Sequence, residues 1–217
     1  MMTGDDSTAR GLLAEGLAEL ELAVHENQLA ALLELTLLLA QWSKRINLTG
    51  HRTVSEIVRR LILDAAALTK QLPEINSLAD IGSGAGFPGF PVAILRPNCR
   101  VTLVEARERR HHFQRQVIRQ IGLENVRTEL GRAEALEPSP HAAAIAQAVA
   151  KPADALPLLL PWVEPGGWLL FPGSIPPPPV PNDDLRVRFE PVVTYNAPLG
   201  GVERALWFAR KTSGNTA

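Results

Sequence analysis

The sequence holds a single cysteine, Cys99, which excludes an internal disulfide and is compatible with a reducing compartment. It has no surplus of either charge. Its 22 Lys and Arg against 23 Asp and Glu give a formal charge of −1, so any contact with nucleic acid must come from a local patch. Long hydrophobic runs are also missing: Leu35-Thr36-Leu37-Leu38-Leu39-Ala40 is far too short to span a membrane. Asp5 and Asp6 stand near the start, and no basic segment followed by an apolar one is present, so a cytoplasmic chain with no secretory signal and no membrane partner is expected. The five histidines and the carboxylates show no metal-ligand spacing, which predicts metal-free chemistry. No internal repeat is visible.

What remains is an ordinary globular composition. The chain has 217 residues, 46% hydrophobic and 21% charged, enough for a sizeable core. Between Thr8 and Lys44, Leu13, Leu17, Leu20 and Val24 mark one helical face and Leu29, Leu32, Leu33, Leu37 and Ala40 another. This spacing predicts two helices with a break near His25. Thr53-Val54-Ser55-Glu56 has the capping-box pattern, which predicts a further helix running to about Lys70, before Pro73. Then strands and helices alternate. Apolar runs end at Ile81, Glu105 and Leu130, with a helix from Arg107 to Ile121 closed by Gly122. A fourth strand is expected over Ala142 to Val149 and a kinked helix over Ala153 to Val163. Pro165-Gly166-Gly167 reads as a turn before a fifth strand, Trp168 to Phe171, and Ile175 to Pro179 as a stiff polyproline connection. Val187 to Tyr195 and Arg204 to Lys211 are expected to close the chain as an antiparallel pair. The alternation implies an α/β fold with a doubly wound, mostly parallel sheet. Residues 1–72 form a helical N-terminal extension in this reading and 73–217 the α/β domain.

The most informative stretch is Ser77 to Glu105. An apolar strand ends at Asp80-Ile81, and Gly82-Ser83-Gly84-Ala85-Gly86-Phe87-Pro88-Gly89 follows. A helix and a second strand then end on Glu105, 23 residues after Gly82. Glycines permit a tight turn and a close ligand approach, and a carboxylate at that distance can accept ribose hydroxyls. A dinucleotide fingerprint would need a third glycine where Phe87 stands. The spacing Gly82-x-Gly84-x-Gly86 after Asp80 instead resembles the first motif of class I S-adenosylmethionine (SAM) methyltransferases, whose Rossmann-like sheet matches the expected fold. A ligand-free βα turn is the alternative.

Three groups of residues extend the likeness. They are Trp42-x-Lys44-x-x-Asn47-Leu48-Thr49 with Arg60-x-Ile62-Leu63-Asp64; Asp80 through Gly89-Phe90-Pro91; and Gly131-Arg132-Ala133-Glu134, Ala148-Val149-Ala150 and Pro165-Gly166-Gly167. On these the chain resembles the RsmG (GidB) family of bacterial small-subunit ribosomal RNA methyltransferases over about Gly11 to Lys211. The resemblance implies methyl transfer from SAM to N7 of one guanine in 16S rRNA, by a protein expected to act as a monomer on that RNA or the small subunit. It implies that Gly82, Gly84, Gly86 and Phe87 line the methionine and sulfonium end of SAM. Glu105 would hold the ribose, Ala133 and Glu134 would meet the adenine, and Asp80 would orient the loop or the cofactor amine. Asn47, Arg52, Arg60 and Asp64 would contact RNA.

Guanine N7 carries an exposed lone pair, so the transfer is a direct in-line displacement that needs no metal and no general base. Gln147 is the candidate positioning residue, where the family usually has arginine in Ala/Ser-Arg-Ala. Pro172 replaces the family's usual lysine, and Leu61 and Ala65 depart from Arg-His and Asp-Ser. These departures lie on the substrate side, so a SAM- or RNA-binding paralogue with weakened or lost catalysis stands beside the active enzyme. A nicotinamide-dependent oxidoreductase is a third reading, disfavoured by Phe87. Lys44, Arg45, His51 and Arg52 form one basic cluster. The arginines of the helix after Glu105 form another, and they wind around it as a solvated face would.

Overall fold

The computed structural model describes residues 4–147, 152–173 and 186–212. The expected strand at 148–149 and the polyproline run Ile175 to Pro179 lie outside them, as does Ala148-Val149-Ala150.

Leucine periodicity at the N-terminus gives α1 (Gly4–Glu19) and α2 (Glu26–Ser43), with the break where expected. Gln28 secures the start of α2: its Oε1 accepts the His25 N–H at 2.8 Å, and its Nε2 donates to the Ile94 carbonyl at 2.8 Å. The capping box also forms. The Thr53 Oγ1 accepts the Glu56 N–H at 3.2 Å, and the Glu56 carboxylate accepts the Thr53 N–H at 3.0 Å. These hydrogen bonds, led by that from the Arg52 N–H, hold the exposed Glu56 carboxyl below its ordinary range. The helix they start is interrupted. α3 (Val54–Ile57) passes through a π-helical turn, Val58–Ile62, into α4 (Leu63–Gln71).

β1 (Ser77–Ile81) is buried along its whole length, as a central parallel strand must be. It leads into α5 (Gly89–Leu95), β2 (Arg100–Glu105), α6 (Glu108–Ile121), β3 (Val126–Leu130), β4 (His141–Ile145) and α7 (Pro152–Leu159), which a 3-10 turn, Leu160–Trp162, follows. The chain ends with β5 (Val163–Gly173), β6 (Val187–Phe189), β7 (Val193–Asn196) and β8 (Glu203–Lys211). The sheet order is β3-β2-β1-β4-β5-β8-β6, with β7 also on β8. Pairings among β1 to β5 are parallel, and those of β8 are antiparallel. The order reverses between β1 and β4, the switch point where open α/β sheets place ligands beyond the carboxyl ends of their strands.

Side-chain alternation splits the core in two. Leu78, Val101, Leu103, Ala143, Ile145 and Leu170 face a layer that includes Leu13, Leu35, Leu39, Ile57 and Phe113 from the helices. Ala79, Ile81, Val104, Ala144 and Leu169 face α7 and Trp162.

Three expectations need correction. β4 ends at Ile145, short of the expected span. Pro165-Gly166-Gly167 is not a turn ahead of β5 but a bulge inside it. The register jumps from His141↔Val163 to Ala143↔Trp168, and Gly166 absorbs the kink at φ 78°. The expected strand over 187–195 is broken around Pro191, which cannot donate to the ladder, so β6 and β7 lie end to end along β8.

Candidate functional site

The turn after β1 depends on glycine conformations. Gly82, Gly84 and Gly86 have φ of 68°, 59° and 87°, in the left-handed region. At Gly86 a Cβ would also lie 2.2 Å from the Phe90 ring, so no other residue fits there. Gly89 is required for a different reason: a Cβ would approach Leu103 to 2.3 Å, whereas the bare backbone lets its N–H donate to Asp80 Oδ2 at 2.9 Å. Asp80 is therefore the clasp that closes the loop onto β1. It is fully buried, and among the described residues its Oδ1 has no hydrogen-bond partner. Burial pushes its pKa up to about 7; the Gly89 N–H opposes that rise and the Glu105 charge adds to it.

Glu105, at the tip of β2, holds the middle of the same loop. Its Oε2 accepts the Gly84 N–H at 2.8 Å, its Oε1 accepts the Arg107 N–H at 2.7 Å, and Arg110 Nη1 stands 3.9 Å away. Each oxygen retains a lone pair for a further donor. The Gly131 N–H donates to the Glu105 carbonyl at 3.0 Å, which starts the loop after β3 beside the carboxylate. Ala133 in that loop packs on the second core, and Glu134 is exposed, 3.7 Å from Arg132. Phe87 is half-buried at the loop's far end, joined to Pro88 by a cis peptide.

Gln114 belongs to this assembly and was not anticipated. It is fully buried on α6. Its Nε2 donates to Ser83 Oγ at 2.8 Å and to the Gly84 carbonyl at 2.9 Å, while Thr128 Oγ1 donates to its Oε1. Its place beside Phe113 and one turn before Val117, on the apolar side of a basic helix, is the only trace of it in the sequence, and that does not name its partners.

The substrate-side residues are dispersed. Gln147 is half-buried just beyond β4, at the carboxyl edge shared with Asp80. Pro172 lies past the last β4 pairing, Ile145↔Leu170, where among the described strands β5 has only β8 beside it and a missing N–H is tolerated. Asn47 lines a cleft of about 280 Å³ with Ile46 and the run Arg107 to Arg110, at the edge of the Glu105 loop. Arg52 and Arg60 are exposed, the latter on the π-helical turn. Asp64 is a correction. Its carboxylate is buried and both oxygens are held by Arg204 at 3.1 Å, so it ties α4 to β8 instead of facing RNA.

The rRNA small subunit methyltransferase G (GidB) family matches residues 28–176. The chain belongs to this family. A ribosomal RNA small subunit methyltransferase G of Stenotrophomonas maltophilia is 40% identical over 144 residues, which cover 66% of this chain and 65% of that relative's length. The counterpart in Leptothrix cholodnii is 30% identical over 94% of this chain and 96% of its own. Among solved structures, coclaurine N-methyltransferase bound to N-methylheliamine and SAH has a TM-score of 0.52 at 19% identity, covering 88% of this chain and 74% of that one. A cofactor-bound protein of MTB, Rv0187, has a TM-score of 0.56 at 14% identity, covering 98% and 100%. These likenesses bear on the fold, a class I methyltransferase sheet. Family membership removes the nicotinamide reading.

The site fits SAM on its own chemistry. A buried carboxylate oxygen without a partner among the described residues, Asp80 Oδ1, suits an ammonium donor, and Glu105 has acceptor capacity left for hydroxyls.

Proposed function

We propose that this protein transfers the methyl group of SAM to N7 of a guanine in 16S rRNA, on the free RNA or the small ribosomal subunit, as a cytoplasmic monomer that uses no metal. SAM supplies an electrophilic methyl group on a sulfonium. In this reading Gly82, Gly84, Gly86 and Phe87 shape the space for its methionine end, Asp80 neutralises its amine, Glu105 accepts its ribose hydroxyls, and Ala133 and Glu134 border its adenine. N7 attacks with its own lone pair, so no residue has to remove a proton. The chain's work is alignment in a dry site, and such positioning supplies roughly 7–11 kcal/mol in well-oriented systems. Gln147 offers an amide to the incoming guanine in place of a guanidinium, and Asn47, Arg52 and Arg60 offer contacts to the RNA around it.

The observation that carries the reading is the single assembly of Asp80, the three positive-φ glycines and Glu105. The test is calorimetry with SAM and with NAD on the wild-type chain and on Gly84→Asp. Aspartate is one of the few residues that visit the left-handed region and the nearest atom to a Cβ there is 3.8 Å away, so the substitution adds backbone strain but no clash, and far-UV circular dichroism of the variant checks its fold. Its carboxylate would crowd Glu105 and the ribose. The expected result is SAM binding by the wild type alone and no NAD binding; NAD binding without SAM binding would overturn the assignment.

A further inference from the structure

Beyond the loop that Glu105 holds, the C-terminal end of α2 and the residues that follow it carry a second cavity. It measures about 220 Å³ and is lined by Gln41, Trp42, Arg45 and Ile46. Ile46 also lines the cleft of about 280 Å³ that contains Asn47, Arg107, Arg109 and Arg110, so the two cavities adjoin. The Trp42 ring is half-buried and fixed edge-to-face against Phe113, with centroids 5.7 Å apart. It is therefore a rigid aromatic surface, set before any ligand arrives. The surroundings are cationic. Among the described residues Arg45, Arg107 and Arg109 have no carboxylate partner, Arg110 is 3.9 Å from Glu105, and Glu108 is the one acid lining either cavity.

An aromatic platform beside unpaired guanidiniums is the chemistry of single-stranded nucleic acid recognition: bases stack on the ring and phosphates pair with the cations. We infer that this groove is the track for the single-stranded RNA next to the methylated guanine, with one unstacked base on Trp42 and backbone phosphates on Arg45 and Arg109. Gln41 supplies an amide to the edge of that base. Duplex RNA would present no free base face to Trp42, so the groove selects for an unpaired segment. The inference rests on RNA being the substrate, as proposed above, and adds the part of it that is gripped.

The test is a fluorescence titration of the full chain with an eight-nucleotide single-stranded RNA and with a duplex of the same length. Trp162 and Trp207 are buried and Trp168 is covered by Arg210, which leaves Trp42 as the responsive fluorophore. The single strand is expected to quench emission and the duplex to bind more weakly. Trp42→Phe should abolish the quench while keeping most of the affinity, because a phenyl ring still stacks. Trp42→Leu should weaken binding about tenfold. Arg45→Ala and Arg109→Ala should each reduce the slope of log affinity against log salt by about one. SAM binding, measured on the same variants, should not move. A quench that survives Trp42→Phe, equal binding of duplex, or unchanged salt slopes would overturn the track. Undiminished methyl transfer to small subunits by Trp42→Leu would overturn it too, and would leave the methyltransferase assignment standing.

Discussion

Asp80 is the most deeply buried carboxylate among the described residues, and its protonation links stability to pH. In the unfolded chain its carboxyl ionises near 4, and in the folded chain near 7. The folded state therefore holds the extra proton between those values, and the stability contributed by this group falls as pH rises through that window. Asp80→Asn keeps an acceptor for the Gly89 N–H without the charge. Relative to wild type, it should gain stability between pH 5 and pH 8, by about 2–3 kcal/mol for a shift of this size over that window. Urea unfolding at the two pH values checks this, and a difference independent of pH would contradict it. SAM affinity should move the other way, rising toward pH 8 in wild type as the carboxylate ionises to meet the ammonium. At this scale the glycine loop, Asp80 and Glu105 were legible in the sequence, because their spacing follows from one βαβ turn. Gln114 was not, because its partners Ser83 and Thr128 come from separate elements. Asp64 was misplaced for the same reason: Arg204, its partner, lies 140 residues away.

Among the elements, the helix from Val54 to Gln71 bridges the two ends of the chain. Asp64 on α4 meets Arg204 on β8, and Arg59 on the π-helical turn donates to the Leu199 carbonyl at 3.1 Å. The Tyr195 phenol nearby is pushed well above its ordinary pKa by burial and by the Asp64 charge. Asp64→Leu leaves Arg204 without its counter-ion and should cost roughly 2–3 kcal/mol, at or below the low end of the range for broken buried pairs because Arg204 keeps some solvent. Asp64→Leu with Arg204→Met should recover most of that loss while the cofactor site is untouched. Chemical denaturation of both variants is the check, and additive losses would contradict a coupled pair. Strand positions β1 and β3 were readable to the residue from apolar runs and punctuating glycines. The bulge at Gly166 and the break at Pro191 were not, since each is decided by the register of a neighbouring strand.

On the scale of the whole molecule, one face of the sheet carries α1 to α6 in a continuous core. The chain around Trp42 and Asn47 thus places a basic, aromatic groove next to the Glu105 loop, and on the inference drawn above this local patch is what a chain of net charge −1 offers to RNA. The alternation of strands and helices made this architecture legible in advance. The groove was not, because it forms only when α2 packs on α6. The central claim is methyl transfer to guanine N7, and it stands against the rewritten substrate side at Gln147, Leu61 and Pro172. The deciding measurement is transfer of tritiated methyl from SAM to unmodified 30S subunits and to naked 16S rRNA, with the modified base mapped, for the wild type and for Gln147→Arg. The expected result is incorporation at N7 of a single guanine, faster with Gln147→Arg; no incorporation by either protein, despite SAM binding, would contradict the account.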